Sequence, residues 1–413
     1  MYRLKWLLAP IIAISFMPLA LVTSPPKAAG KSEAEKKVHL FASPLEVKAG
    51  KSVAKSECTS CHGLDGLSER EDIPHLASQH ADYLYEQLQA YKNGDRKHPG
   101  MRRSIRNLND DALRSVAGYY FSLDLPRGGD AQKAADTQDK DTLAETDDIS
   151  PVEAGKAASK GCASCHGEDG NSVLPGMPSL AGQNLQYLVD AMKAYRQASR
   201  KDPMMRPAVA LMSDDTIENL ALYYALQPPK ISPTDAEGDA SAGQPASVAC
   251  AECHGQEGHS EKPDTPSLAG QDPKYLVNAT LAYKDGVRDH SAMQSIVASL
   301  GNDVINNLAA YYASLEPKAG AVRKPLSTAQ WAERCDRCHG IDGNSIDPYI
   351  PSISSQHEDY MIKSLTAYRN QTRGSVPMRA MSQPLRDIEI KNIARHYANK
   401  RRRAVVFMKI PCQ

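Results

Sequence analysis

The sequence predicts an all-α protein made of four tandem copies of one small module. A set of residues recurs four times in one register, apolar residues follow helical spacing, and no stretch alternates apolar and polar residues as a strand would. The chain has 413 residues, which at about 100–200 residues per domain accommodates roughly two to four domains. With 4 Phe and 2 Trp, such small modules need another apolar group to fill their cores.

Each repeat begins with a C-x-x-C-H motif, whose histidine we take as position 0. Every copy has glycine at +1 and +4, proline at +12, glutamine at +17, tyrosine at +21, +29 and +58, and methionine at +39. No insertion interrupts this register, whereas the segments between repeats vary in length, so each repeat is one structural unit. The predicted modules and their connections are 46–126, a flexible polar linker at 127–149, 150–228, 242–316, 327–400 and a basic tail at 401–413.

Three helices are expected in each module, as the second one illustrates. The segment 150–153 has the form of a capping box with proline at the first helical position, and it opens a helix that runs into Cys162. A third helix follows Ser213, an N-cap residue with two acidic residues in the first turn. The helix between them follows Gln183 and places apolar residues on one face: Tyr187, Leu188, Ala191, Met192 and Tyr195.

The C-x-x-C-H motif is the attachment signature of c-type haem. Two thiols at this spacing can each form a thioether to the porphyrin edge, and the adjacent histidine then becomes an axial ligand of the iron. Four covalently bound haem c groups are therefore expected. The candidate thioether residues are Cys58, Cys61, Cys162, Cys165, Cys250, Cys253, Cys335 and Cys338, and the candidate iron ligands are His62, His166, His254 and His339.

Two other interpretations of the cysteine pairs are a zinc site and a redox dithiol. A zinc site would require two modules to pool their ligands, and the histidine would have no fixed place. Neither interpretation explains why methionine occupies +39 in every copy.

A methionine in a loop ahead of the third helix is the candidate second axial ligand. Methionine usually fills a core. Here it keeps position +39 in all four repeats although the linkers between them differ in length, and this favours a ligand. The +39 position selects Met205 over Met204 and gives the set Met101, Met205, Met293 and Met378. A bis-histidine iron remains an alternative in repeats one and three, where His98 and His290 occupy +36.

The proline at +12 has two possible roles. A ligating imidazole usually donates its other N–H to a carbonyl, which fixes the tautomer, and a rigid proline carbonyl suits this task. A simple turn residue is the alternative. The four positions are Pro74, Pro178, Pro266 and Pro351.

Together these motifs resemble class I cytochrome c domains. The segments CASCHGEDGNS, PSLAGQNLQYL and MMRPAVALMSDDTIENLALYY are similar to the cytochrome c4 and cytochrome c553 group, and the likeness extends over all four repeats. It implies that the proline carbonyl holds the haem histidine and that the loop methionine completes the iron coordination. Repeat one departs from the pattern at 75–78 and repeat four at His396, neither of which is a proposed ligand.

The N-terminus predicts export. A positive start and an apolar stretch in residues 1–30 are typical of a signal peptide or an uncleaved anchor, which places the rest in the periplasm, soluble or tethered to the inner membrane. Lys+Arg and Asp+Glu both total 49, so no overall charge points to nucleic acid. The basic segment 400–403 is either a docking face for an acidic partner or membrane, or a solvated tail. Cys412 has no expected role.

A six-coordinate His/Met iron has no open site for a substrate, which argues for electron transfer rather than catalysis. The expected function is a periplasmic tetrahaem electron carrier of a respiratory chain. Its redox partners would be a quinol-oxidising complex or dehydrogenase on one side and a terminal oxidase or reductase on the other. A dedicated cytochrome subunit of one dehydrogenase is the first alternative, and a haem peroxidase is the second.

Overall fold

The computed structural model describes residues 42–124 and 150–403. Within these ranges all regular structure is helical, apart from one isolated backbone bridge between Arg200 and Arg288. The all-α prediction is therefore confirmed. The N-terminal segment at 1–30, the linker at 127–149, most of the tail at 401–413 and Cys412 lie outside the described residues.

Modules 1 and 2 have the same order of five helices: a first helix, a single turn that contains the C-x-x-C-H histidine, a long second helix, a short helix and a long last helix. In module 1 these are α1 (Pro44–Glu57), α2 (Thr59–His62), α3 (Ala81–Asn93), α4 (Pro99–Ile105) and α5 (Asp110–Phe121). In module 2 they are α6 (Pro151–Ser159), α7 (Ala163–His166), α8 (Leu185–Arg196), α9 (Met205–Val209) and α10 (Asp214–Ala225).

Modules 3 and 4 repeat this order with small changes. Module 3 contains α11 (Ala240–Ala246), α12 (Ala251–His254), α13 (Pro273–Lys284), α14 (Ser291–Val297) and α15 (Asn302–Ser314), with 3-10 turns at Ser247–Ala249 and Gln256–Gly258. In module 4 the first helix continues through the motif, and the helices are α16 (Thr328–His339), α17 (Glu358–Arg369), α18 (Val376–Ser382) and α19 (Asp387–Ala398), with a 3-10 turn at Ile341–Gly343.

Local sequence sets the helix starts as expected. The Ser150 side chain accepts a hydrogen bond from the backbone N–H of Glu153, whose carboxylate in turn accepts from the N–H of Ser150, which confirms the predicted capping box. Ser213 caps α10 by accepting from the N–H of Thr216. The three expected helices are present in every module. Each module also has a short helix before its last one, and modules 1 to 3 have a separate turn at the motif histidine.

The first and last helices of a module cross at close range. In module 1 a Cβ atom on Gly50 would lie 2.0 Å from the carbonyl oxygen of Ser115, and on Gly155 of module 2 it would lie 2.1 Å from that of Asn219. Only glycine lets the two backbones approach so closely, which offsets its cost of about 1 kcal/mol inside a helix. This crossing brings the C-x-x-C-H turn against the last helix.

The modules pair out of chain order, and module 1 lies against module 4. Gln79 donates from Nε2 to the carbonyl of Ser352 at 2.8 Å, and its Oε1 accepts from the same residue's N–H at 3.1 Å. Gln356 of module 4 makes the reciprocal pair of bonds with the backbone of His75, at 3.1 and 2.9 Å. We call this contact the 1–4 interface.

Module 2 lies against module 3 in the same way. Gln183 exchanges hydrogen bonds with the backbone of Ser267 at 2.9 and 2.8 Å. Gln271 does so with the backbone of Ser179 at 2.9 and 2.7 Å. In this 2–3 interface, as in the 1–4 interface, the repeated +17 glutamine bonds the +13 residue of the other module, so each pair has approximate two-fold symmetry.

The two pairs meet through modules 2 and 4. Lys391 of α19 forms an ion pair with Asp215 of α10 at 2.5 Å. The segment before module 4 also crosses module 2, where the N–H of Gly320 donates to the carbonyl of Gly182 at 3.2 Å and Val322 packs against the apolar core.

Candidate cofactor sites

The four motif histidines share one environment. Each is buried, and its Nδ1 lies 3.0, 2.8, 2.9 or 2.8 Å from the carbonyl oxygen of the +12 proline in modules 1 to 4 respectively. Because a carbonyl only accepts, Nδ1 must carry the proton, and Nε2 is left with its lone pair. This is the tautomer that a metal-ligating imidazole needs.

Burial also keeps these histidines neutral. It lowers the pKa of His62, His166, His254 and His339, and the hydrogen bond to the proline carbonyl only partly opposes it. A neutral imidazole with a fixed tautomer is ready to bind iron without first losing a proton.

The first cysteine of each pair lies against the module core rather than in an electropositive, exposed setting. Burial raises the pKa of the Cys58 and Cys335 thiols to about 11 and also raises the pKa of Cys162 and Cys250. A redox dithiol requires the opposite shift. Within 42–124 and 150–403, no group of three or more His, Cys, Asp and Glu side chains is arranged to hold a metal ion.

The +39 methionines lie in the first turn of short helices, not in the loop that the sequence suggested. In every module the side chain at +36 caps this turn by accepting a hydrogen bond from the methionine N–H. The pairs are His98–Met101 (3.2 Å), Asp202–Met205 (2.9 Å), His290–Met293 (3.2 Å) and Ser375–Met378 (3.4 Å). The cap fixes the backbone of the methionine in the same way in all four modules.

This shared role accounts for the two histidines at +36. His98 and His290 each use Nδ1 on the methionine backbone, as Asp202 and Ser375 use their side-chain oxygens. A position that caps in all four modules gives no support to the bis-histidine alternative. Met204 is 66% exposed, whereas Met205 is half-buried, as a ligand would be.

A large cavity opens between modules 1 and 4. Its volume is about 1650 Å³, and its walls include Cys58, Cys61, His62, Pro74 and Met101 of module 1 together with Cys335, Cys338, His339, Pro351 and Met378 of module 4. Ordinary small-molecule pockets measure about 300–1,000 Å³, so this space is large enough for more than one such molecule. Two complete sets of predicted haem-binding residues face one cavity. The chemistry of these residues fits one haem in module 1 and one in module 4.

Sequence inspection missed a further repeated residue. Arginine occupies +34 in every copy, as Arg96, Arg200, Arg288 and Arg373. The register would have revealed it, but a basic residue in the connection after the second helix offered no chemical reason to single it out. In the structure all four lie at the interfaces between paired modules.

The basic segment at the start of the tail contacts the surface of module 4. Lys400 and Arg403 both form ion pairs with Asp342, at 3.3 and 3.0 Å. Arg402 donates to the carbonyl oxygens of Ser352 and Ser354. Arg402 is therefore turned toward module 4, whereas Lys400 and Arg403 stay partly exposed beside Asp342.

Within residues 42–124 and 150–403, no helix has the length and hydropathy that a membrane crossing requires.

Known proteins are similar to this chain in its modules. The cytochrome c family profile matches residues 47–119 and 152–224. A cytochrome c4 from Pseudomonas aeruginosa is 33% identical over 150 residues, which are 33% of this chain and 75% of that protein. A thiosulfate dehydrogenase electron acceptor from Stutzerimonas stutzeri is 30% identical over 193 residues, 44% of this chain and 83% of that protein. A solved cytochrome c4 from Acidithiobacillus ferrooxidans is 30% identical, with 38% of this chain and 99% of that chain covered and a TM-score of 0.36.

Proposed function

Since this chain belongs to the class I c-type cytochromes, we propose that it is a tetrahaem electron carrier with one His/Met-ligated haem c in each module. One observation carries this proposal: the same neutral, carbonyl-bonded histidine and the same capped methionine occur in all four modules. A role restricted to one or two modules would not keep both features in the others.

The chain's residues divide the work of holding each haem. The cysteines of each pair would form the thioethers, the motif histidine and the +39 methionine would bind the iron, and the +12 proline carbonyl orients the histidine. When bound, the group accepts and releases one electron, and methionine ligation raises its reduction potential. The helical frame, fixed at the glycine crossing, keeps both ligands in place in either oxidation state.

The electron donor is proposed to be a dehydrogenase. Two relatives carry the name thiosulfate dehydrogenase electron acceptor, at 30% and 29% identity. This favours a carrier that takes electrons from a dehydrogenase, or a dedicated cytochrome subunit of one, and passes them to a terminal oxidase or reductase. A dedicated subunit would co-purify with its enzyme, whereas a free carrier would not.

The periplasm is the proposed location. The positive and apolar start of the chain at 1–30 supports export, and covalent haem attachment through cysteine pairs accords with it. Whether this segment remains as an anchor is decided by the N-terminal sequence of the purified protein.

Haem counting tests the proposal directly. Pyridine haemochrome analysis and intact mass of the purified protein should give four haems per chain, and a count of two would overturn the tetrahaem assignment. Met205→Leu should remove one quarter of the methionine–iron charge-transfer band, because leucine cannot bind iron. Met204→Leu is the matched control and should leave that band unchanged.

A further inference from the structure

Module 4 has two buried side chains that the other modules lack at the same positions. Trp331 occupies −8, where modules 1 to 3 have alanine. Glu389 occupies +50, where they have alanine, threonine and valine. Both side chains are buried, and Trp331 is the only tryptophan within 42–124 and 150–403. Module 4 therefore places a large aromatic ring and a carboxylate where the other modules have small or uncharged residues.

The Trp331 ring joins this carboxylate to the predicted haem site of module 4. The ring packs in the module core, against which Cys335 also packs, and it lines the cavity that His339 and Met378 face. Its Nε1–H donates to Oε1 of Glu389 at 2.8 Å. Glu389 is therefore one side chain removed from the cofactor cavity.

Glu389 has the partners that a buried anion requires. Its Oε2 accepts from Nη2 of Arg323 at 2.6 Å and from the backbone N–H of Arg386 at 3.0 Å. The Arg323 side chain is 40% exposed, whereas that of Glu389 is 1% exposed. Because water screens an exposed charge more than a buried one, Arg323 compensates the field of Glu389 inside the module only in part.

An anion in this place acts on the electron affinity of the nearby cofactor. A charge in the protein interior is weakly screened, and a ferric haem carries one more positive charge than a ferrous haem, so a carboxylate favours the ferric form. The uncharged residues at +50 in modules 1 to 3 exert no such effect. The asymmetry therefore concerns one haem of the four.

We propose that Glu389, bonded to Trp331 beside the haem site, specifically lowers the reduction potential of the module 4 haem, and that Arg323 limits this effect. The inference rests on the proposed function, because it requires a haem in module 4. Glu389 is a positioning residue: it acts through its charge and through the indole that it orients, not as a ligand of the iron. It gives one of four similar modules a potential of its own.

Substitutions at the two ends of the ion pair test this proposal. Glu389→Gln keeps an oxygen acceptor for Trp331 but removes the negative charge, and it should raise the one-electron reduction equilibrium constant of the module 4 haem about tenfold, or about 59 mV. Arg323→Gln leaves the carboxylate uncompensated and should lower the same constant about threefold. A redox titration followed by NMR of the haem methyl groups measures each haem separately.

Each substitution has a matched control. Glu333→Gln removes an exposed carboxylate from the helix of Trp331, and Lys324→Gln removes the exposed cation next to Arg323. Neither control should move any of the potentials. Because a loosened core would shift Glu389→Gln and Arg323→Gln in the same direction, opposite signs separate a charge effect from a structural one.

Shifts of the same sign in Glu389→Gln and Arg323→Gln would overturn the proposal, and so would potentials equal to those of the controls. If Glu389→Gln does not fold, the comparison of Arg323→Gln with Lys324→Gln decides alone, since only the first should lower the potential. Haem counting of the unmodified protein separates this failure from that of the proposed function, which requires four haems whatever their potentials are.

Discussion

The 1–4 and 2–3 interfaces have the same framework but different side chains at its centre. Both use the +17 glutamine on the +13 backbone, and in both the N–H of a +21 tyrosine donates to a carbonyl at +9 of the partner, as in Tyr187 to Pro263 and Tyr83 to Pro348. Because these hydrogen bonds are made to backbone groups, they could form between any two modules. The shared framework therefore explains why modules pair, and other residues must determine which modules pair with each other.

The +18 position is where the 1–4 interface differs. His80 Nε2 lies 3.0 Å from the carbonyl of Ser345, and His357 Nε2 lies 2.9 Å from that of Ser68. His75 stacks on His357 with 3.9 Å between ring centroids. Three imidazoles therefore lie at this interface.

The 2–3 interface has an amide and a carboxylate at the same position. Asn184 donates from Nδ2 to the carbonyl oxygens of Lys262 and Thr265 at 3.0 and 2.6 Å. Asp272, which is fully buried, accepts from the N–H of Gly176 at 2.8 Å. The Asp272 carboxylate accepts from an N–H group, whereas the Asn184 amide donates to carbonyl oxygens. A module moved from one pair to the other would therefore meet backbone groups that its own +18 residue does not match.

The largest expected effect comes from breaking the shared framework. Gln183→Leu takes the hydrogen-bond partners from both the carbonyl and the N–H of Ser267 and should lower the free energy of unfolding of the 2–3 pair by about 4 kcal/mol. Gln79→Leu should destabilise the 1–4 pair less, because it leaves only the N–H of Ser352 without a partner, while the carbonyl of Ser352 keeps its bond from Arg402. Hydrogen exchange followed by mass spectrometry should show lost protection only in the affected pair, and the exposed Gln256→Leu serves as control. Equal loss in both pairs would contradict independent interfaces.

A smaller effect is expected from the carboxylate that only the 2–3 interface has. Asp272→Ala removes the acceptor for the N–H groups of Gly176 and Tyr275 and should destabilise that pair by about 3 kcal/mol. Chemical denaturation monitored by hydrogen exchange in modules 2 and 3 measures this. Asp239→Ala, which removes a cap on the surface of module 3, should cost about 1 kcal/mol and leave the interface protected.

Acid should destabilise the 1–4 interface more than the 2–3 interface, because of the histidines in the 1–4 interface. Burial, then His357 and Arg402, lower the pKa of His75 to about 4, against a weaker opposing effect of Asp65, and its Nδ1 accepts from the N–H of Ser68 at 3.0 Å. A folded-state pKa below the unfolded value means that the stability is fully present above about pH 6.5 and is lost as pH falls toward 4. The 1–4 pair should lose about 2 kcal/mol over this range.

Denaturation midpoints at pH 7 and pH 4.5 measure that loss, and the 2–3 pair provides the internal reference. His75→Ser, which places the module 2 residue in module 1, should reduce the pH dependence of the 1–4 pair. An unchanged pH dependence in this variant would assign the acid sensitivity to other groups, such as His80, whose pKa burial also lowers.

The smallest effect on stability is expected from the contact that joins the 1–4 pair to the 2–3 pair. Lys391→Gln removes the ion pair with Asp215, which is partly exposed, so the loss should stay below about 1 kcal/mol and should disappear at high salt. Thermal denaturation at low and high ionic strength measures it. Both interfaces should keep their hydrogen-exchange protection, and loss of either would show that the pairs are not separate units.

The sequence was sufficient to predict each module but not their arrangement. Helices, caps and candidate ligands follow from short-range patterns, such as the Ser150 box and the spacing of His166 and Met205. Pairing does not follow, because every module carries both the +17 glutamine and the +13 backbone that it bonds. Any two modules could satisfy that rule, and the +18 residues that distinguish the pairs have no repeated pattern.

Other repeated residues can be seen in the sequence, but the sequence alone does not show their role. The +34 arginines repeat without exception, yet their meaning depends on the partner module lying opposite. The turn at +39 was missed because histidine is an uncommon cap, although Asp202 and Ser375 at the same position are ordinary ones. Site residues that depend on a single module were therefore easier to predict than those that two modules share.

Pairing the first module with the last also has a consequence for biogenesis. Module 1 leaves the ribosome before any other, and its partner is completed only after modules 2 and 3 have been made. Until then the buried face around Gln79 and His80 stays uncovered, while module 2 waits only for its neighbour. Contacts between such distant parts of a chain form slowly, and their surfaces are open to wrong associations in the meantime. A chain interrupted before module 4 would thus carry one finished pair and one module without its complement.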